Sequence, residues 1–251
     1  MTMKESQSFI GINYGQVVDN LLPASAIATL LQSTTISKLR LYSADPTIIQ
    51  SLANTAISLI INVFNFDVAS LPDPSVASSW AAANVLPYVP ASSISVGNKT
   101  LNSENPSLAS NLLPAIQNLQ SALSASPSTA GIKVSTIHSM VVMSQSDPSS
   151  SGAFHPDLSN SLAGVVGFLR DAGFLRDAGL SFMINPYPFF AYRRDPRLET
   201  LAFCLFQPNP GRLDPGSWLT YTNMFDTQMI LTCACSKLNW KGLSILSRDC
   251  T

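Results

Sequence analysis

At 251 residues the chain is long for one β-sandwich, ordinary for one α/β barrel, and sufficient to bury a sizeable core without dividing into several domains. Charged residues make up 12% against 46% hydrophobic, so Ser, Asn, Thr and Gln must cover much of the solvent face, as on many secreted proteins. The net charge of -1, with Lys and Arg few and scattered, excludes the electrostatic footprint of a nucleic-acid or anionic-membrane binder, and no apolar run reaches the roughly 20 residues of a membrane span.

Along the chain, MTMKESQSFIGINYG has no apolar core of about 7 to 15 residues ahead of its first strand-like run. No signal peptide is expected, which by sequence alone means a cytoplasmic location. Residues 1–8 read as a tail and 9–251 as one domain. Phe9 to Tyr14 (FIGINY) is an apolar, aromatic run ending at Gly15, and Pro23 to Leu31 then shows helical spacing with Pro early in the turn. The pattern repeats. Lys38 to Tyr42 (KLRLY) precedes a helix from Asp45 to Leu52, opened by an Asp-Pro start signal, and Ser58 to Val63 (SLIINV) precedes a helix from Ser75 to Leu86. Ile94 to Asn98 (ISVGN) leads to a helix over Leu108 to Leu123, and Ile132 to His138 (IKVSTIH) to one over Leu162 to Phe174. Ser181 to Asn185 (SFMIN) precedes an irregular stretch and a poorly periodic Met224 to Lys237, and Gly242 to Leu246 reads as a seventh strand. Strands alternating with helices, with no run of adjacent hairpins, imply a parallel sheet of either the doubly wound or the barrel kind. Gly11-Ile-Asn-Tyr-Gly15 is not a dinucleotide fingerprint and no P-loop occurs, so phosphate binding has no support and the α/β barrel is favoured.

Cys204, Cys233, Cys235 and Cys250 crowd into the last fifth of the chain, but Cys-Ala-Cys is too tight for a zinc knuckle or a redox pair, so no metal is expected. In a barrel, function sits at the C-terminal ends of the strands. The polar and aromatic residues there are Asn13, Tyr14, Arg40, Tyr42, Asn62, Asn98, Lys99, His138, Asn185 and Tyr187. Each alone reads more readily as an ordinary loop or second-layer hydrogen bonder, and His138, a lone histidine, as structural. Together they describe a polar cleft with aromatic platforms, suited to holding sugar hydroxyls while stacking on ring faces.

The runs FIGINYGQV, KLRLYSADP, NVLPYVPASSISVGN, LLPAIQNLQSAL, IKVSTIHSM and SFMINPYPFFAYRRDPRLETLAFCLFQPNPG resemble, in this order, those of the plant endo-1,3-β-glucanases of glycoside hydrolase family seventeen. The resemblance covers nearly the whole chain, and NPYPFFAY is its most specific string. It implies a (β/α)8 TIM-type barrel that cleaves β-1,3-glucan with retention and without a cofactor, as a monomer typically secreted to the cell wall or vacuole. It also implies an acid/base glutamate after strand four and a nucleophile glutamate after strand seven. Asn13, Tyr14, Arg40, Tyr42, Asn98 and Tyr187 are then the expected substrate contacts.

Both catalytic positions depart from the family pattern. At strand four the family reads Val-Gly-Asn-Glu and this chain reads Val96, Gly97, Asn98, Lys99. Retaining hydrolysis needs one carboxyl group to protonate the leaving oxygen and another about 5 to 5.5 Å away to attack the anomeric carbon. A lysine ammonium is a poor acid at the glycosidic oxygen and repels an oxocarbenium-like transition state. At strand seven the family continues Glu-Thr-Gly-Trp-Pro, whereas here GLSILSRDCT places Arg248 near the nucleophile position, with Asp249 one residue on and so turned to the other face. The three glutamates, Glu5, Glu104 and Glu199, lie away from the catalytic strand ends.

Other departures are the tandem FLRDAGFLRDAG (Phe168 to Gly179), MILTCAC (Met229 to Cys235) within an expected helix, and the absence of an eighth βα unit, so the barrel is expected to be truncated after its seventh strand. Asn98-Lys99-Thr100 is formally a glycosylation sequon, discounted because Asn98 should face the barrel mouth. Three readings stand: a β-1,3-glucan endohydrolase relative with catalysis lost, a non-catalytic β-glucan-binding protein, and an unstable truncated gene product, the duplication and the altered C-terminus favouring the third over the second because a binding protein should keep a closed scaffold.

Overall fold

The computed structural model describes residues 10–17, 19–88, 91–103, 105–171 and 182–228. They fall into two compact units, one holding the described residues of 10–137 with 182 and 183, the other those of 138–171 and 184–228.

The first unit is a run of βα units. Strands β1 (Ile10–Tyr14), β2 (Ile36–Leu41), β3 (Ser58–Val63), β4 (Ala91–Asn98) and β5 (Lys133–Ser139) pair parallel in sequence order. Helices α1 (Ala24–Gln32), α2 (Pro46–Ser51), α3 (Asn65–Val68) with α4 (Pro74–Asn84), and α5 (Pro106–Ser124) connect them. Strand β8 (Met183–Asn185) follows β5 in the same sheet, so the order never reverses as it would in a doubly wound fold.

Three of the helices start on one device. Asp45, Asp73 and Asn105 each precede a proline at the first helical position, and each side chain accepts a backbone N–H two residues on, at 2.8, 2.8 and 3.1 Å from Thr47, Ser75 and Ser107. Proline supplies a fixed φ where no N–H is needed, and each cap is worth about 1 kcal/mol. The strands sort their residues by parity. Leu39, Leu41, Leu59, Ile61, Val63, Ile94, Val96 and Val134 are fully buried aliphatics of one face. Arg40, Asn62, Ser93, Ser95 and Ser135 occupy the intervening positions, where a parallel sheet in an ordinary α/β core would carry more aliphatics.

The second unit contains elements that periodicity does not reveal. Two separate antiparallel ribbons, β6 (Met143–Gln145) with β7 (Ala153–Phe154) and β9 (Arg212–Asp214) with β10 (Leu219–Tyr221), add strands that the sequence reading did not place. Strands of two or three residues are too short to alternate visibly. Asp214, almost fully buried, joins the ribbons by accepting from the Ser150 hydroxyl, from the Ser150 N–H at 2.8 Å and from the Gly216 N–H at 3.0 Å. Helix α6 (Ser159–Asp171) buries Leu162, Val165, Val166 and Leu169, and helices α7 (Pro188–Arg194) and α8 (Leu198–Cys204) follow β8. The second copy of FLRDAG, most of the segment Met224 to Lys237 and the seventh strand at Gly242 to Leu246 lie outside the described residues. No described helix is long and apolar enough to cross a membrane.

His138, next to last in β5, is 1% exposed, and burial lowers its pKa to about 3 from the usual 6.5. The unfolded chain takes up that proton near pH 6.5 and the folded chain does not, so stability is lost progressively as pH falls from 6.5 toward 3. One such proton corresponds to a slope of about 1.4 kcal/mol per pH unit. Thermal midpoints measured from pH 7 to pH 4 should fall more steeply in the wild type than in His138→Gln. Parallel profiles for the two proteins would show that His138 is not the group responsible.

Candidate active site

Pairing in register brings Asn13, Arg40, Asn62 and Ser95 onto one face at the C-terminal half of the first unit's strands, as a polar row stepped by two positions between β2 and β3, where Arg40 lies opposite Ile60. Asn13 lies opposite Arg40 and Asn62 opposite Ser95. Arg40 reaches both neighbours, with its guanidinium nitrogens 3.5 Å from Asn13 Oδ1 and 3.5 Å from Asn62 Oδ1. Asn62 donates to the Val63 carbonyl at 2.8 Å, which fixes its amide. Arg40 is 6% exposed, so its charge lies in the floor, and its guanidinium sits 4.6 Å from the centre of the Tyr42 ring. A cation over a ring face at this distance is attractive and holds the ring in place. Tyr42 itself is partly exposed just past the end of β2.

The end of β4 has unusual backbone geometry. Gly97 has φ +68, and a Cβ there would strike the Thr100 hydroxyl and lie 3.0 Å from Asn65 Oδ1, so only glycine fits. Lys99 is also left-handed, at φ 57, where a residue with a Cβ is strained by about 1 kcal/mol or more. The residue between them is fastened from outside: Asn65 Oδ1 accepts the Asn98 N–H at 2.7 Å and Asn65 Nδ2 donates to the Asn98 carbonyl at 3.1 Å. The Lys99 N–H donates to the Ile137 carbonyl of β5 at 2.8 Å. Asn98 and Lys99 are half-buried. Thr100 is 1% exposed, so the third residue of the Asn98-Lys99-Thr100 sequon is folded into the interior.

Not all the sequence candidates assemble. Tyr14 pairs with Leu41, one position off the Arg40 row, and so belongs to the opposite face of the sheet from Asn13. His138 is buried one residue before the end of β5. In the second unit Asn185 ends β8, and Tyr187, at the start of α7, packs edge-on against Phe190 at 5.6 Å between ring centres. Glu199 lies in the first turn of α8, 3.9 Å from Arg197. Asp195 is held by Arg197 at 2.7 Å and by Thr200, and the Arg197 hydrogen bonds lower its pKa to about 2. Glu104, Arg248 and Asp249 lie outside the described residues. Sequence reading missed Asn65, whose partner is 33 positions away. Its only local signal is an amide two residues beyond a strand end.

The last residues of β1 to β5 are Tyr14, Leu41, Val63, Asn98 and Ser139, followed by Gly15, Tyr42, Phe64, Lys99 and Met140. No carboxylate stands at any of these ten positions, and the described arrangement offers hydrogen-bonding amides, a buried cation and ring faces.

A family model for glycosyl hydrolases family 17 matches residues 10–241. Glucan endo-1,3-beta-glucosidase 7 of Arabidopsis thaliana is 53% identical over 228 residues, covering 89% of this chain and 44% of that protein. A glucan endo-1,3-beta-D-glucosidase of Olea europaea is 46% identical over 248 residues, covering 96% of this chain and 52% of that protein. The chain thus spans about half the length of the curated relatives it matches. Among solved structures, CJP38, a beta-1,3-glucanase and allergen of Cryptomeria japonica pollen, superposes with a TM-score of 0.84 at 32% identity, over 92% of this chain and 71% of that one. With a strand order that never reverses, a family match over most of its length and these identities, the chain has the TIM-barrel type of fold and belongs to glycosyl hydrolases family 17, the β-1,3-glucan endohydrolases.

Proposed function

We propose that this chain holds β-1,3-glucan along the polar row of its first unit and does not cleave it. The observation that carries this reading is Lys99: the position that the family resemblance assigns to the acid/base carboxyl group ends in an ammonium, on a strand end whose backbone is fully fastened. Protonating a leaving glycosidic oxygen in the transition state is worth about 10²- to 10⁴-fold, and a lysine there also opposes the developing positive charge. Glucan itself is neutral. Its hydroxyls need hydrogen-bond partners and its ring faces need flat apolar surface, and Asn13, Arg40, Asn62, Tyr42 and Asn98 have that chemistry.

The test of turnover is release of reducing ends from laminarin. The wild type should release them at least about 100-fold more slowly than an active family member, the lower bound set by loss of the general acid. Lys99→Glu alone should stay silent, because Arg248 stands near the nucleophile position in the resemblance, whereas Lys99→Glu joined to a family C-terminal segment carrying Glu-Thr-Gly-Trp-Pro should gain activity. Clear wild-type turnover that disappears in Asp249→Asn or Glu104→Gln would mean that another carboxylate has been recruited, and would overturn the proposal.

The test of binding is titration calorimetry with a laminarin oligosaccharide. Tyr42→Ala should weaken binding by about fivefold, the worth of one aromatic face, with little change in thermal midpoint because the ring is partly exposed. An unchanged affinity would remove Tyr42 from the site.

A further inference from the structure

The segment Phe64–Val68 is anchored through every residue that does not face solvent. Asn65 is tied to the Asn98 backbone by two hydrogen bonds, Asp67 accepts one from the Trp80 side chain, and Val68 is fully buried. What remains outside is Phe64 and Phe66, 43% and 74% exposed, with ring centres 5.2 Å apart and planes 15° from parallel. No fold requirement explains an aromatic side chain with three quarters of its surface in water, since a smaller polar residue at position 66 would leave all three anchors intact. The two rings stack on one another, so the pair presents an outer ring face backed by the ring behind it, directly beyond the C-terminal end of β3 and two positions in sequence past Asn62 of the polar row.

We propose that the Phe64–Phe66 pair is a stacking platform for a pyranose unit of the same glucan chain that the polar row holds, an extra subsite that lengthens the binding groove over the β3 end. This rests on the glucan-binding reading above. The apolar C–H face of a β-linked glucose ring is matched by an open aromatic face, and pre-anchoring means that little side-chain freedom is lost on binding. The same Asn65 that carries the platform fixes Asn98, so platform and strand-four end are held at a set spacing, as successive sugar rings on one chain require.

The experiment is affinity electrophoresis of the whole chain in native gels with and without laminarin, for wild type, Phe64→Ala, Phe66→Ala and Phe66→Trp, with sedimentation velocity on the same proteins. Both phenylalanines are exposed, so the alanine variants should fold, and equal circular dichroism and thermal midpoints check that. The proposal expects laminarin to retard the wild type and Phe66→Trp alike, and Phe66→Ala about tenfold more weakly, with Phe64→Ala also weakened. Equal retardation of wild type and both alanine variants would overturn the platform and leave the glucan-binding reading standing. Absence of retardation in the wild type would overturn that reading and the platform with it. A wild-type dimer that dissociates in Phe66→Ala would also overturn it, by making the ring pair a contact between copies of this chain.

Discussion

Parallel pairing in register is the constraint from which the rest of the first unit follows. It forces alternate residues of β1 to β5 to opposite faces, and burying each Leu, Ile or Val of the aliphatic face contributes about 1.5 to 3 kcal/mol. A slip of one residue would drive Arg40 and Asn62 among Leu41, Ile61 and Val63, exchanging several such gains for unpaired buried polar groups. The aliphatic face therefore fixes the polar one. Arg40 meets Asn13 and Asn62 because Leu39, Leu41, Ile61 and Val63 have nowhere else to go.

At the end of β4 the same logic passes from side chains to backbone. Asn65 grips the N–H and carbonyl of Asn98, and the Lys99 N–H is bonded to β5, so the turn is specified without reference to the side chain at position 99. Gly97 supplies the position in this turn where a Cβ would collide with Thr100. A scaffold fastened in this way tolerates a change of chemistry at position 99 without a change of fold, which is how a chain can keep its family's architecture while carrying an ammonium at that point.

Most of the sheet was legible in the sequence because it rests on runs of β-branched and aliphatic residues bounded by turn signals. Ser58–Val63 was read with its observed ends, and β1, β4 and β5 with their ends shifted by one to three residues. Helix α3 was not legible, being four residues with no period to detect, and neither were the ribbons, whose strands have two or three residues. The candidate site was half legible. Asn13, Arg40, Tyr42 and Asn98 announce themselves as polar or aromatic groups at strand ends, but strict alternation already separates Tyr14 from Asn13. The Asn65 clamp joins positions 33 apart, and nothing local in the sequence encodes that partnership.

The carboxylates of the chain clarify what the strand ends are built to do. Asp45 and Asp73 cap helices, Asp171 pairs with Arg170, Asp195 with Arg197, and Asp214 ties two ribbons together. Each of these five described carboxylates is engaged in a structural contact, and none of the five stands at a strand end of the first unit. Recognition of a neutral sugar in its ground state needs amides, hydroxyls and ring faces, all of which are present. Stabilising a cationic transition state needs negative charge placed where positive charge develops, and at β4 the charge has the opposite sign. On the proposed reading such a surface gains binding energy from glucan but no more in the transition state than in the ground state, and only that difference accelerates cleavage.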